Sequence, residues 1–220
     1  MKAVVFDMDG VLFDTENLCK SSWDVIAREL GVDDMEEVFL QCVGRNANDT
    51  RSLMKSHYGD RLDYDSFREK ASEWFWKAIE ERGVPVKKGV RELLAYLQKA
   101  GYRIGLASST RRESILKLLT GAGISEYFSV IISGDMVEHS KPDPQIFLLA
   151  CEGLKVPPEE VYGIEDSPNG IRAAYAAGMK PIMVPDLIAP DTEMEELSFR
   201  ILRDLLEVQA FLSEKSVVDR

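Results

Sequence analysis

Lys2-Ala3-Val4-Val5-Phe6-Asp7-Met8-Asp9-Gly10 decides the architecture of this chain. Residues 2–6 are a short, largely apolar and β-branched run ending in acid, the pattern of a strand buried on both faces of a parallel sheet. No comparable run follows for some eighty residues. From about Thr15 to Arg82 apolar residues recur instead at helical spacing, as in Trp23, Ile26, Ala27 and Leu30, and again in Phe67, Ala71, Trp74, Phe75, Ala78 and Ile79. Gly31, Gly44, Gly59 and Gly83 punctuate that stretch at intervals suited to helix ends. An isolated strand is not stable, so the first strand must join a sheet made later in the chain.

That sheet is legible after Val84-Pro85-Val86. The pattern predicts a helix at 89–100, a strand at Arg103–Ala107, a helix at 111–121, a strand at Val130–Ile132 and a helix at 143–153. A strand at Val161–Ile164, a helix at 168–177, a strand at Pro181–Val184 and a last helix at 199–213 follow. Repeated β-α alternation implies parallel strands with right-handed crossovers. The expected fold class is α/β: a Rossmann-like, doubly wound parallel-sheet core formed by 1–14 and 84–220. An all-α cap, 15–83, is inserted after the first strand, with hinges near 13–17 and 81–88.

The 220 residues carry 38 acidic and 27 basic side chains, a formal charge of −11. A chain of this length can bury roughly 70% of its unfolded surface, enough for a core without disulfides. The acidic balance, with no Lys/Arg run longer than two, speaks against a nucleic-acid partner and against an anionic membrane surface. Asp7 interrupts the first residues before an apolar signal region could form, and no apolar run approaches ~18 residues, so a cytoplasmic location is expected. Cys19, Cys42 and Cys151 are odd in number and widely spaced, which suggests buried free thiols rather than a disulfide framework or zinc site. His57 and His139 are too few for a His-based metal site, and Trp23, Trp74 and Trp76 read as bundle core.

In open parallel sheets ligands bind beyond the carboxyl ends of the strands. Four predicted strand ends carry unusual polar groups. Asp7 and Asp9 leave the first strand on alternate residues and so project together, while Gly10 permits a tight turn. Two adjacent carboxylates repel, an energy relieved by protonating one or by binding a cation. Ser108-Ser109-Thr110 precedes a helix, where hydroxyls and free N–H groups either cap the helix or hold an anion. Lys141 sits on a stiff Ser140-Lys141-Pro142-Asp143-Pro144 segment that can aim it. Glu165-Asp166-Ser167-Pro168-Asn169-Gly170 supplies a second acidic pair, and Mg²⁺ prefers such hard carboxylate oxygens. Acids to hold a divalent cation, with Lys141 and Ser108 to neutralise a phosphoryl group and Asp7 to attack it, make phosphoryl transfer the coherent chemistry.

At these residues the sequence resembles the haloacid dehalogenase superfamily, specifically its capped phosphatases and phosphomutases near β-phosphoglucomutase. The resemblance rests on Asp7-x-Asp9-Gly10-Val11-x-x-Asp14-Thr15-Glu16, the Ser108 strand end, Lys141-Pro142 and Glu165-Asp166-Ser167, in order and at approximate family spacing. It implies Asp7 as the nucleophile and Asp9 as the acid and base. Asp7, the Asp9 carbonyl and Asp166 would ligate Mg²⁺, for which Mn²⁺ or Co²⁺ can substitute, with Glu165 helping through water. Gly10, Ser108, the Ser109 N–H and Lys141 would hold the phosphate. Dehalogenases lack an aspartate two residues after the nucleophile, so Asp9 disfavours dehalogenation. β-Phosphoglucomutases carry a cap histidine where this chain has Cys19, and a cap arginine that falls on Ala47 when Gly44 anchors the alignment, leaving Arg45 two residues early. The expectation is therefore a monomeric phosphatase acting on a small phosphorylated substrate, a sugar phosphate, with Arg45, Asn46 and Lys77 as cap contacts. β-Phosphoglucomutase activity is the alternative.

Overall fold

The computed structural model describes residues 2–218, with side chains through Glu214. β1 (Ala3–Phe6) is followed by four helices, α1 (Thr15–Leu30), α2 (Met35–Cys42), α3 (Ala47–Tyr58) and α4 (Tyr64–Arg82). The chain then runs through α5 (Val90–Lys99), β2 (Arg103–Ser108), α6 (Arg112–Ala122), β3 (Val130–Ser133) and α7 (Gln145–Leu154). β4 (Val161–Glu165), α8 (Pro168–Ala176), β5 (Lys180–Met183), α9 (Thr192–Leu197), β6 (Arg200–Ile201) and α10 (Leu205–Val218) complete it.

The six strands form one parallel sheet in the order β3-β2-β1-β4-β5-β6. β1 therefore lies at its centre, pairing Val5 with Gly105 on one side and with Gly163 on the other. Its alternation divides the core. Val4 and Phe6 enter the cluster built with α5, α6 and α10, whereas Ala3 and Val5 enter the cluster under α7 and α8. All four are fully buried, as a strand covered by helices on both faces must be. The chain runs from β1 outward through β2 to β3, then crosses back to β4 on the other side of β1 and on to β5 and β6, and a sheet that reverses its winding beside its first strand opens a crevice beyond the carboxyl end of β1.

α1 to α4 pack around a separate buried cluster, in which Trp23 meets Phe39 and Phe67 edge-on at 5.2 and 5.4 Å. The expectation for tryptophan holds only for Trp23. Trp74 is half-buried, and Trp76 turns away from the bundle to pack on the sheet's cluster, with the Lys117 ammonium 4.0 Å from its ring centre. The two connections to the bundle bind each other: Asp14 N–H donates to Pro85 O at 2.8 Å and Lys87 N–H to Leu12 O at 2.9 Å, with Phe13 and Val86 bridged antiparallel.

One predicted element is corrected. Residues 199–213 are not one helix, because Phe199 N–H donates to Pro181 O and Leu202 N–H to Met183 O, which draws Arg200–Ile201 into the sheet as β6. α10 starts only after Asp204, whose carboxylate accepts from Leu206 and Glu207 N–H at 3.0 Å each. Among the described residues no helix is long and apolar enough to cross a membrane. The three cysteines are free; Cys42 and Cys151 are buried and Cys19 half-buried.

Candidate active site

Asp7 leaves β1 still tied to the sheet, its N–H donating to Ile164 O at 2.9 Å. The chain then turns over itself through Leu12 and Phe13 N–H donating to Met8 O. Gly10 makes that turn at φ +80°, and a Cβ there would lie 2.3 Å from Asp166 Oδ2, so only glycine lets the end of β4 approach so closely. Asp7 and Asp166 thus face one another across adjacent strands.

Lys141 binds this acidic pair of strands together. Its Nζ donates to Asp7 Oδ1 at 2.5 Å, Glu165 Oε1 at 2.7 Å and Ala107 O at 3.1 Å, and it is 2% exposed. All three N–H donors are used. Burial opposes its charge, but Asp7 and Glu165 together carry its pKa above the ordinary lysine value. Burial likewise pushes the Asp7 carboxyl up to about 8 against the pull of Lys141. Asp166 is raised well above the usual range by burial, then by Glu16 and Glu165.

Glu165, expected to help hold the metal through water, is also tied into the protein by both of its oxygens. Oε1 accepts from Lys141, and Oε2 accepts from Asp166 N–H, Ser167 N–H and Ser167 Oγ at 2.9, 3.0 and 3.0 Å. Both oxygens are engaged in positioning Lys141 and the turn after β4. Gly170 is part of that arrangement, since a Cβ there would lie 1.8 Å from the Glu165 carboxyl carbon.

Asp9 is held by hydroxyls rather than by charge. Thr15 Oγ1 donates to its Oδ1 at 2.5 Å and Thr110 Oγ1 to its Oδ2 at 2.8 Å, with Ser108 Oγ at 3.4 Å. Ser108 is fully buried and accepts from Thr110 N–H, while Ser109 Oγ donates to Gly44 O of the helical bundle at 3.0 Å. The close approach of Ser109 O explains Gly134, where a Cβ would lie 2.0 Å from it. Thr15 and Thr110 stood inside the quoted motifs without a role, because only the fold shows that they meet at Asp9.

Asp7, Asp9, Ser109, Glu165 and Asp166 line a cavity of about 190 Å³, with Arg45 on its bundle side. A neighbouring space of about 290 Å³ shares Asp9, Ser109 and Arg45 with it and adds Arg68, Trp76 and Arg111. Both fall below the ~300–1,000 Å³ typical of drug-sized ligand sites, which fits a small metabolite. The other cap expectations fare differently. Asn46 is buried at the start of α3, its Oδ1 capping the helix by accepting from Asn48 and Asp49 N–H at 2.9 Å each. Lys77 is exposed on α4 and lines neither cavity; Arg68 is the α4 cation that does.

Asp7, Glu165 and Asp166 each offer a carboxylate oxygen, all within 4.8 Å of one another, a donor set of hard oxygens suited to a divalent cation. The family model for haloacid dehalogenase-like hydrolases matches residues 4–184. The chain belongs to this family. Among its curated relatives, the phosphorylated carbohydrates phosphatase of Thermotoga maritima is 33% identical over 182 residues, covering 83% of this chain and 84% of that protein. The crystal structure of CbbY from Rhodobacter sphaeroides in complex with phosphate superposes with a TM-score of 0.80 at 30% identity, covering 94% of this chain and 96% of that one. The fold is also that of β-phosphoglucomutase from Clostridium difficile, with a TM-score of 0.82 over the whole of both chains at 22% identity. This haloacid dehalogenase-like hydrolase thus presents an acidic, lysine-braced site at the carboxyl ends of its central strands.

Proposed function

We propose that this hydrolase is a Mg²⁺-dependent phosphatase of small phosphorylated carbohydrates, working through an aspartyl-phosphate on Asp7. The observation that carries the reading is the Lys141 brace, which fixes one Asp7 oxygen beside a cation at the sheet edge while Asp9 stands in the same cavity, held by neutral hydroxyls. The relatives' names supply the substrate class.

Asp7 attacks phosphorus, the bond from phosphorus to the ester oxygen breaks, and Asp9 gives its proton to the departing sugar oxygen. Asp9, now a carboxylate, takes a proton from the water that attacks the aspartyl-phosphate; the bond from phosphorus to the Asp7 oxygen breaks and inorganic phosphate leaves. Lys141, bonded to the attacking Asp7, would set its charge behind the phosphoryl group, and Ser108 and the Ser109 N–H would take phosphoryl oxygens. A Mg²⁺ held by Asp7, Asp166 and the Asp9 carbonyl would neutralise the phosphoryl oxygens that these carboxylates otherwise repel. Gly10 serves the site by admitting Asp166 to the turn. Mn²⁺ or Co²⁺ would take the same oxygens.

Asp7→Asn keeps the size of the side chain and removes the nucleophile, so the variant is expected to fold and to lose turnover on a panel of sugar phosphates with Mg²⁺. Substantial residual hydrolysis would refute the role of Asp7. The β-phosphoglucomutase reading stays open through one observation: Arg45 lines both cavities and supplies a cap cation. Glucose 6-phosphate as the main product from β-glucose 1-phosphate with a bisphosphate activator would favour it, and free phosphate the phosphatase.

A further inference from the structure

Adjoining the site just described, and overlapping it at Asp166, lies a second acidic group. Glu16 is the second residue of α1, Asp166 directly follows β4 and Asp186 follows β5, and each places a carboxylate oxygen within 4.8 Å of the other two. Glu16 is 9% exposed, and its Oε2 has no hydrogen-bond partner. Asp186 pairs through Oδ1 with Lys87 at 2.6 Å, yet its buried Oδ2 also has no partner. Two acceptors of this kind in one buried group are costly unless something electropositive meets them.

Among the described residues the two ammonium groups nearby are already engaged. Lys141 uses all three of its N–H groups elsewhere, and Lys87 reaches a single Asp186 oxygen. Asp7, Glu16, Glu165, Asp166 and Asp186 together set five carboxylates against these two ammonium groups. Asp7, Glu165 and Asp166 form one group of three carboxylates, and Glu16 and Asp186 belong only to the other. Opposite ligands of six-coordinate Mg²⁺ stand about 4.2 Å apart and those of Ca²⁺ about 4.6–5.2 Å, so three oxygens within 4.8 Å fit around one hard ion.

We propose that Glu16, Asp166 and Asp186 form a second site for a hard divalent cation, adjoining the first and sharing Asp166 with it. Because Glu16 lies just past the first linker and Lys87 in the second, the ion would stand where the helical bundle joins the sheet. The rival occupant is a proton held between Glu16 and Asp166, toward which burial of Glu16 points.

Counting Mn²⁺ bound per chain, by the loss of the free-ion electron paramagnetic resonance signal, separates the two. The wild-type chain is expected to bind two ions, Asp186→Asn and Glu16→Gln one each, and Lys87→Met still two. Asp7→Asn is expected to weaken the first ion and leave the second, which Asp186→Asn then removes. A single ion in the wild-type chain at millimolar Mn²⁺, or two retained in both carboxylate variants, overturns the proposal. Should Asp186→Asn fail to fold, Glu16→Gln carries the test alone. The count needs no turnover, so failure of the phosphatase reading leaves it standing.

Discussion

Lys141 is the buried counter-ion of two carboxylates at once. Asp7 and Glu165 are buried against it, and removing it leaves two carboxylates facing each other without a counter-ion. Lys141→Met is expected to lower unfolding free energy by about 3–5 kcal/mol, read by urea denaturation, because breaking a buried pair strands its partners. Lys141→Met combined with Glu165→Gln should recover part of that loss; no recovery would mean that the Glu165 charge is not what the lysine compensates. Asp7, Ser108 and Lys141 were legible in the sequence because each stands at a strand end, where a simple rule directs attention. Arg68 was not. It and Lys77 are nine residues apart on α4, about 180° around a helix of 3.6 residues per turn, so the choice between them depends on which face meets the sheet. Asp186 also follows a strand, β5, but stands there as a single carboxylate with no acidic partner beside it in the sequence to mark it.

The elements themselves were largely readable, since each core helix and strand follows a period of hydrophobic residues that the buried faces impose. The exception, β6 and the start of α10, turns on a few hydrogen bonds rather than on periodicity. Asp204 caps α10 and also accepts from Lys88 Nζ at 2.8 Å. Asp204→Ala is expected to cost about 1 kcal/mol, which for a chain of this size lowers Tm by roughly 2–4 °C. The Lys88 hydrogen bond, then the helix N–H groups, hold its pKa below the ordinary value. A carboxyl depressed in the folded state stabilises above its unfolded pKa of about 3.9 and loses that contribution as pH falls through the folded value. The difference between wild type and Asp204→Ala in thermal unfolding should therefore be constant from pH 5 to neutrality and shrink on acidification.

Across the whole molecule, the acidic site, the bundle and the linkers meet at one edge. A ligand that binds only the folded chain stabilises it, and a divalent ion at 100 times its dissociation constant would add about 2.7 kcal/mol. Mg²⁺ is thus expected to raise Tm by roughly 5–10 °C over a chelator-treated sample. Asp166→Asn should largely abolish the shift, and an unchanged Tm in the wild type would count against a metal at these carboxylates. The overall charge of −11 acquires a local meaning here, because the bundle, with 15 acidic and 10 basic residues, is itself net negative, and its positive charge at the cavities comes from single side chains such as Arg45 and Arg68. The central place of β1 also bears on how the chain is made. It leaves the ribosome well before its partners, β2 and β4, which begin at residues 103 and 161. At about 5–20 residues per second, the strand that leads into Asp7 waits roughly ten to thirty seconds for both neighbours. The bundle, whose buried cluster comes from residues 23–71, is complete well before then. Newly synthesised chains should therefore pass through a state with a finished helical lobe and an unpaired apolar strand, the stage at which a chaperone would find something to hold.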